Sequence, residues 1–160
     1  MKKLIYLILT TFYSYSTIAS EIPKNYLSKL YHESITNLSI KEEKCSGKKR
    51  VLSPKIFDGL TISLEQMNTI LKYKNASAFI TCVNPELLQF YRASTLLNIS
   101  YPDPQLRNGD ELISFHDLRK LKLELEFNNI DVLLRNRINK LEELNKPFNL
   151  ISSFEAISNN

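Results

Sequence analysis

Few residues in this sequence have types and spacings that could do chemistry. The two histidines each stand beside an acid, His32 before Glu33 and His116 before Asp117. Adjacent residues on a helix point in different directions, so neither pair easily shares a ligand or a proton. A zinc site needs His or Cys at three- or four-residue steps with a further ligand elsewhere, and neither histidine has such a neighbour. We predict surface histidines, no metal site and no other cofactor.

The acidic residues do not mark out a catalytic site. Glu142 and Glu143 are adjacent, whereas glycan-cleaving enzymes set two carboxylates several ångström apart across a cleft. Glu65 and Glu86 follow predicted helix starts, where the helix dipole favours negative charge. No Gly-x-Ser-x-Gly elbow is present for a hydrolytic triad. The sequence therefore favours a non-enzymatic protein, with a small glycan hydrolase using one buried Glu as the alternative.

The beginning of the chain has the pattern of a secretory signal peptide. Lys2 and Lys3 give a positive start, residues 4–12 are mostly apolar, and Ala19 suits the position before a cleavage site. The apolar run is shorter than the ~20 residues that a membrane anchor needs. We predict cleavage after Ala19, with Ser20 as the second choice. The mature chain is then periplasmic or secreted, without stable membrane insertion.

Composition fits one globular domain after this signal. The chain has 160 residues, 43% of them hydrophobic, and only 3 glycines, which argues against disorder and against glycine-rich phosphate loops. Its formal net charge is +4, from 21 basic and 17 acidic residues. Without Lys2 and Lys3, 19 basic residues face 17 acidic ones, and a nucleic-acid partner loses its main support. We predict a signal peptide over 1–19 and a single helical domain over 20–160.

The two cysteines are predicted to form a disulfide. Cys45 and Cys82 are the only cysteines in the sequence, and an even count in an exported chain favours a bridge. Closing this loop would contribute up to roughly 4 kcal/mol on the chain-entropy model. The alternative, a nucleophilic thiol, needs an adjacent base and an electropositive pocket.

The spacing of apolar residues predicts helices throughout. Leucines, isoleucines and aromatic residues recur at three- and four-residue steps, and cap-then-proline or capping-box patterns mark several starts. We expect helices over 23–40, from Ser53 onwards, over 63–73, over 76–83, over 84–98 and over 148–157. Residues 79–83 could instead form a short buried strand. The predicted fold class is all-α, a single compact multi-helix bundle with one intramolecular disulfide.

The last third carries the strongest periodicity. Its heptad seam, which steps by four and three residues, consists of Leu123, Phe127, Ile130, Leu134, Arg137, Leu141 and Leu144. Residues 121–127 also alternate between apolar and charged, as a half-buried strand would. We predict a helix that is broken near Asn128 and Asn129. The seam is predicted to pack inside the bundle or, secondarily, against a second copy in a homodimer.

Two irregular segments are the predicted contact sites. Residues 41–50 are predicted to form a charged loop around Cys45, and residues 99–110 contain prolines and a glycine that are expected to end helices. Irregular segments on a rigid scaffold carry binding more often than helix faces do. The candidate partner contacts are Lys48, Lys49, Arg50, Tyr101, Asp103 and Arg107.

These features together favour an exported, non-enzymatic protein-binding module. The size, the signal and the helicity are similar to those of the immunity class, small helical proteins with which Gram-negative bacteria block exported toxins. That resemblance implies another protein as the partner, an exported toxin or an envelope component. The alternatives are the glycan hydrolase and a helical accessory or assembly protein that acts through its heptad seam.

Overall fold

The computed structural model describes residues 22–47, 50–104 and 109–159, so the predicted signal peptide and its cleavage site lie outside the described residues. Five α-helices and one 3₁₀ turn follow one another there: α1 Lys24–Cys45, α2 Leu64–Ser100, α3 Gly109–Asn128, α4 Val132–Asn139, the 3₁₀ turn Glu142–Asn145 and α5 Leu150–Ser158. These residues contain no strand, which confirms the all-α prediction and makes both strand alternatives wrong. None of the described helices has an apolar stretch long enough to cross a membrane.

Helix α2 is the central element of the bundle. It has 37 residues and is therefore about 55 Å long. The predicted capping box opens it, since the Ser63 hydroxyl accepts from the Gln66 backbone N–H and the Gln66 side chain accepts from the Ser63 N–H. Helices α1, α3 and α5 and the 3₁₀ turn all pack against α2, while α4 contacts α3.

The prediction of separate helices over 63–73, 76–83 and 84–98 is wrong, because α2 is continuous from Leu64 to Ser100. A proline inside a helix removes one hydrogen bond and costs about 3 kcal/mol. Val83 and Leu87, on either side of Pro85, are both buried. Full burial of each such side chain contributes about 1.5–3 kcal/mol, which offsets the cost.

The continuous helix also fixes which side of α2 faces inward. Leu87, Phe90 and Leu97 are buried, whereas Leu88 and Leu96 are exposed. The Phe90 ring packs against Tyr31 of α1, with 5.6 Å between ring centroids. The side of α2 that faces inward is therefore the side on which Phe90 contacts Tyr31 of α1.

Helix α1 extends five residues beyond its predicted end at Ile40, so residues 41–45 belong to the helix rather than to a loop. Cys45 is buried and is bonded to Cys82 of α2, with 5.9 Å between their Cα atoms, which confirms the predicted disulfide. Lys41 forms an ion pair with Glu86 of α2 at 3.3 Å. These contacts with α2 keep the last turn of α1 helical.

The predicted helix from Ser53 is also wrong. Residues 54–59 form consecutive turns, in which the N–H groups of Ile56, Asp58 and Leu60 each donate to a carbonyl three residues earlier. Gly59 has a φ of +76°, which a right-handed helix does not contain. Burial of Phe57 holds this segment against the bundle.

The apolar interior divides into two cores along α2. The disulfide-side core lies between α1 and the second half of α2, with Leu112 and Ile113 of α3 at its edge; its buried members are Leu27, Tyr31, Leu38, Cys45, Val83, Leu87, Phe90 and Leu97. The turn-side core surrounds the first half of α2; its buried members are Leu52, Phe57, Met67, Ile70, Leu71, Phe127, Ile130, Ile138, Leu144 and Phe148.

Five apolar residues of the heptad seam pack in the turn-side core, although the seam is not one helix. The chain turns after Asn128, and Asp131 starts α4 by accepting from the N–H groups of Leu133 and Leu134, which confirms the predicted break. Phe127, Ile130 and Leu144 are buried, Leu134 and Leu141 are partly buried, and Arg137 is exposed. The chain itself therefore covers the side of the seam that a second copy would have used.

Candidate binding site

Helix α3 is apolar on two opposite faces. Leu123 and Phe127 point toward the bundle, whereas Leu121 and Leu125 are exposed. Residues two apart on a helix point about 200° apart. The alternation that resembled a half-buried strand is therefore the pattern of a helix with an inner and an outer apolar face.

We call the exposed apolar side of α3 the outer face. It presents four large side chains in successive turns, each between 52% and 68% exposed: Phe115, Leu118, Leu121 and Leu125. Helical geometry places Asp117 and Glu124 along one edge of this face and Arg119 and Lys122 along the other. Contiguous apolar surface with charged borders is typical of an interaction site.

Beside the basic edge lies a cavity of about 500 Å³, which we call the α2–α3 groove. Its floor is apolar and consists of Ala76, Phe79, Ile80, Leu123 and Leu150. Its rim carries three cations, Lys72 of α2 with Arg119 and Lys122 of α3, and one carboxylate, Glu126. The groove therefore combines an apolar surface with an excess of positive charge.

The three cations of the groove are not neutralised within the described part of the chain. The ion pairs found there are Lys29–Glu33, Lys41–Glu86 and Arg50–Glu143. Lys122 and Glu126 are one helical turn apart but do not pair. The positive charges of the rim thus remain available to a ligand.

One of the two histidines contributes to this groove. His116 is 9% exposed and packs its ring against Phe79 and Phe115, at centroid distances of 6.0 and 5.7 Å. The prediction of surface histidines therefore holds for His32, which is exposed, and is wrong for His116. His116 precedes Leu123 by seven residues and so shares the inner face of α3, a spacing that the sequence already contained.

The six predicted partner contacts fall into two groups. Lys48, Lys49 and Arg107 lie outside the described residues. Of the others, Arg50 and Tyr101 have roles in the fold, and Asp103 is exposed. Partner contact at all six positions stays a prediction.

Arg50 and Tyr101 each hold together segments that are distant in the chain. The Arg50 guanidinium donates to the backbone carbonyls of Glu143 and Lys146, both at 2.7 Å. The Tyr101 hydroxyl donates to the Ile22 carbonyl at 3.1 Å, and the Lys24 ammonium lies 5.7 Å from the centre of its ring. Both side chains are thus committed to intramolecular contacts.

A buried lysine was not anticipated from the sequence. Lys74 of α2 is 7% exposed, and its ammonium donates to the Asn145 side-chain oxygen at 3.5 Å. Burial lowers the pKa of Lys74 below its ordinary value. Its position three residues after Leu71 and four before Ala78 places it on the inward face of α2, and this spacing was the available signal.

Among the described residues, the cavities that contain Glu86 and Glu126 hold no second carboxylate. Glu86 is paired with Lys41, and the cavity around them is lined by Asn37, Ile40, Lys44 and Gln89 without a second carboxylate. Glu126 is likewise the single carboxylate of the α2–α3 groove. Within residues 22–47, 50–104 and 109–159, no group of three or more His, Cys, Asp or Glu side chains could hold a metal ion.

Comparison with known proteins assigns no family, because no family model, curated protein or solved structure gives a significant match to this chain. Function is therefore inferred from the surfaces of α3 themselves.

Proposed function

We propose that this protein is an exported, non-enzymatic protein-binding module that contacts its partner through the outer face of α3. The observation that carries this proposal is the exposure of four large apolar side chains in successive turns of one helix. Each of them would contribute about 1.5–3 kcal/mol if an interface buried it fully. An apolar cluster bordered by charges matches the general anatomy of a protein–protein interface, which has an apolar centre and a polar rim.

The charged borders favour a protein over a membrane as the partner. Helices that lie on membranes carry mainly Lys and Arg on their polar side. The outer face is instead bordered by Asp117 and Glu124 on one edge and by Arg119 and Lys122 on the other. A partner protein can present charges of opposite sign to each edge, which fixes the orientation of binding.

Export is supported by the Cys45–Cys82 disulfide, because such bonds persist in oxidising compartments. Expression of the full chain in a bacterial host with a functional secretion system tests this part. Intact mass analysis of the recovered protein should show a chain that begins at Ser20, or at Glu21, and lacks free thiols. A chain that retains residues 1–19 and carries two free thiols would refute export.

The specific form that we propose is an immunity-type inhibitor of an exported toxin, on the strength of the size, the predicted signal and the helical fold. The test asks whether a gene adjacent to this one encodes an exported toxin. Cells that lack the present protein should be killed by it, and cells that express both should survive. If protection fails and the two proteins do not co-purify, the inhibitor proposal is rejected.

The contact surface has its own test, which separates it from the identity of the partner. Leu118→Glu places a charge at the centre of the outer face, whereas Ile151→Glu places one on α5, where the side chain is 71% exposed. Both variants should keep the melting temperature of the wild type, because both side chains already face water. Leu118→Glu should weaken binding by more than about tenfold, as loss of a hot-spot contact does. Equal binding of the two variants would exclude the outer face.

The two other functional hypotheses have less support. An assembly protein acting through the heptad seam would need that seam exposed, yet five of its apolar side chains pack in the turn-side core. The predicted glycan hydrolase would use one buried Glu, and none of the described glutamates is buried.

A further inference from the structure

We propose that the α2–α3 groove is a binding site for a small amphiphilic anion, a molecule with an alkyl or aryl body and a carboxylate head. The groove shares Arg119 and Lys122 with the basic edge of the outer face, but its apolar floor is separate and the proposal does not depend on a protein partner. It rests on the combination of an apolar floor, an unneutralised cationic rim and a cavity of suitable size within one groove.

The floor would accommodate the body of the ligand. Phe79 and Ile80 come from α2, Leu123 from α3 and Leu150 from α5, so three helices contribute apolar side chains to one concave surface. The volume of about 500 Å³ falls within the range of ~300–1,000 Å³ that small-molecule sites occupy. Transfer of an alkyl or aryl group from water to this surface is favourable because it removes apolar area from water.

The rim would select the head. Lys72 stands on one wall, and Arg119 and Lys122 stand on the other, so positive charge approaches the mouth of the groove from both sides. Arg119 can bind a carboxylate with two parallel N–H donors, and the lysines add point charges. The three cations exceed the single carboxylate, Glu126, so the rim attracts anions and repels cationic amphiphiles. Since the cations are exposed, salt will weaken this attraction.

The matched probes are octanoate, octanol and octylamine, which share one alkyl chain and differ only in the head. Each is titrated into the mature protein and followed by its effect on the backbone amide resonances of Ala76, Phe79 and Leu123. Octanoate should bind at these positions and weaken as salt is raised. Octanol and octylamine should bind at least about tenfold more weakly, because neither carries the charge that the rim attracts.

Variants then distinguish the effect of the rim cations on binding from the effect of the protein's overall charge. Arg119→Gln with Lys122→Gln removes two cations of the rim, while Arg137→Gln with Lys140→Gln removes an exposed Arg and an exposed Lys that do not line the groove. The first pair should weaken octanoate by about tenfold or more, and the second pair should leave it unchanged. Ala76→Leu fills the floor and should abolish binding with all charges retained. Melting temperatures establish that each variant is folded. If a variant does not fold, the comparison of the three probes on the wild-type protein still tests the proposal.

Three results would overturn the proposal. Octanol binding as tightly as octanoate would show that the rim does not select a head. Octanoate binding that survives Arg119→Gln with Lys122→Gln would place the ligand elsewhere. Binding of an acidic peptide at the same amides, with no response to octanoate, would make the groove a peptide site instead.

Discussion

The two cores of this bundle are built in different ways. The disulfide-side core joins two long helices, α1 and the second half of α2, along their length and ties them with a covalent bond. The turn-side core collects short pieces, among them α4 with 8 residues and α5 with 9. Isolated helices shorter than about 12–15 residues are marginal in water, so these pieces depend on their packing for stability.

The difference extends to the hydrogen bonds. In the disulfide-side core, the buried hydroxyls of Ser34 and Ser94 donate to carbonyls three residues earlier on their own helices, and the Tyr101–Ile22 bond at the edge of this core is a long-range exception. In the turn-side core, side chains bond to backbone groups that are distant in sequence. Asn75 accepts from the Phe148 N–H, and Ser153 accepts from the Leu52 N–H. Side chains there replace the regular hydrogen bonding that long helices provide for themselves.

Truncation of Phe148 should have the largest effect. The side chain has 0% exposure in the turn-side core, so Phe148→Ala should lower the free energy of unfolding by about 3–5 kcal/mol. Phe115→Ala, on the exposed outer face, should change it by less than about 0.5 kcal/mol. Urea unfolding followed by circular dichroism measures both. A loss below about 1 kcal/mol at Phe148 would mean that the short pieces do not form a packed core.

Removal of the disulfide should come next. Cys45→Ala with Cys82→Ala should lower the free energy of unfolding by about 2–4 kcal/mol, because the unfolded chain regains the freedom that the closed loop restricts. The same urea titration of the wild type with and without a reductant provides the control. An unchanged midpoint in both experiments would show that apolar packing alone holds α1 on α2.

The two glycines with positive φ provide a matched pair. Gly47 has φ +64° and Gly59 has φ +76°. A Cβ at Gly47 would lie 2.6 Å from the Pro147 carbonyl carbon, whereas a Cβ at Gly59 would meet no atom within 4 Å. Gly59→Ala should cost about 1 kcal/mol from backbone strain alone, and Gly47→Ala about 2–3 kcal/mol because it also forces the chain at Pro147 to move. Equal melting temperatures for the two variants would contradict this close approach.

The smallest effect concerns Lys74. Its lowered pKa means that the unfolded state binds more protons between that pKa and the ordinary 10.5, so stability should rise with pH across this window. Lys74→Met should therefore be more stable than the wild type at pH 7, by about 1 kcal/mol, and the advantage should shrink as the pH approaches 10.5.

Comparing this variant with the wild type also removes the contribution of a second titrating residue, Tyr73. Burial, and then the charge of Glu124, raise the pKa of Tyr73 above 10.0, which makes stability fall as the pH rises through that region. Tyr73 is present in both proteins, so the difference between them isolates Lys74. A difference that stays constant from pH 7 to 10.5 would exclude a perturbed lysine.

Local signals predicted much of the fold. The capping box at Ser63, the break after Asn128 and the pairing of the cysteines all depend on residues close in sequence or on a simple count. The predicted helix boundary at Pro85 was wrong because the burial of Val83 and Leu87 around it is a tertiary effect. Pro54 follows Ser53 and Pro85 follows Asn84, so both have the pattern of a capping residue followed by proline. Pro54 lies in a series of turns and Pro85 lies inside α2, and no neighbouring residue predicts this difference.

The two surfaces that we propose for binding were harder to predict than the helices. The apolar residues that alternate over 121–127 include two of the outer face, Leu121 and Leu125. Recognising that face from the sequence would require knowing that the segment is helical and which of its sides packs against α2. The groove depends on Lys72 and Arg119, which belong to different helices. Both line one cavity only because α3 packs on α2. Loops were favoured as contact sites, while the exposed apolar residues lie on a helix.

The length of α2 has a consequence for how the molecule comes apart. One uninterrupted helix supplies a wall to each core, so loss of either core leaves half of that helix with its apolar side in water. Neither half is then a unit that can melt by itself. Damage at one end should shift a single common transition, and the bundle should respond to denaturant as one body despite its two differently made interiors.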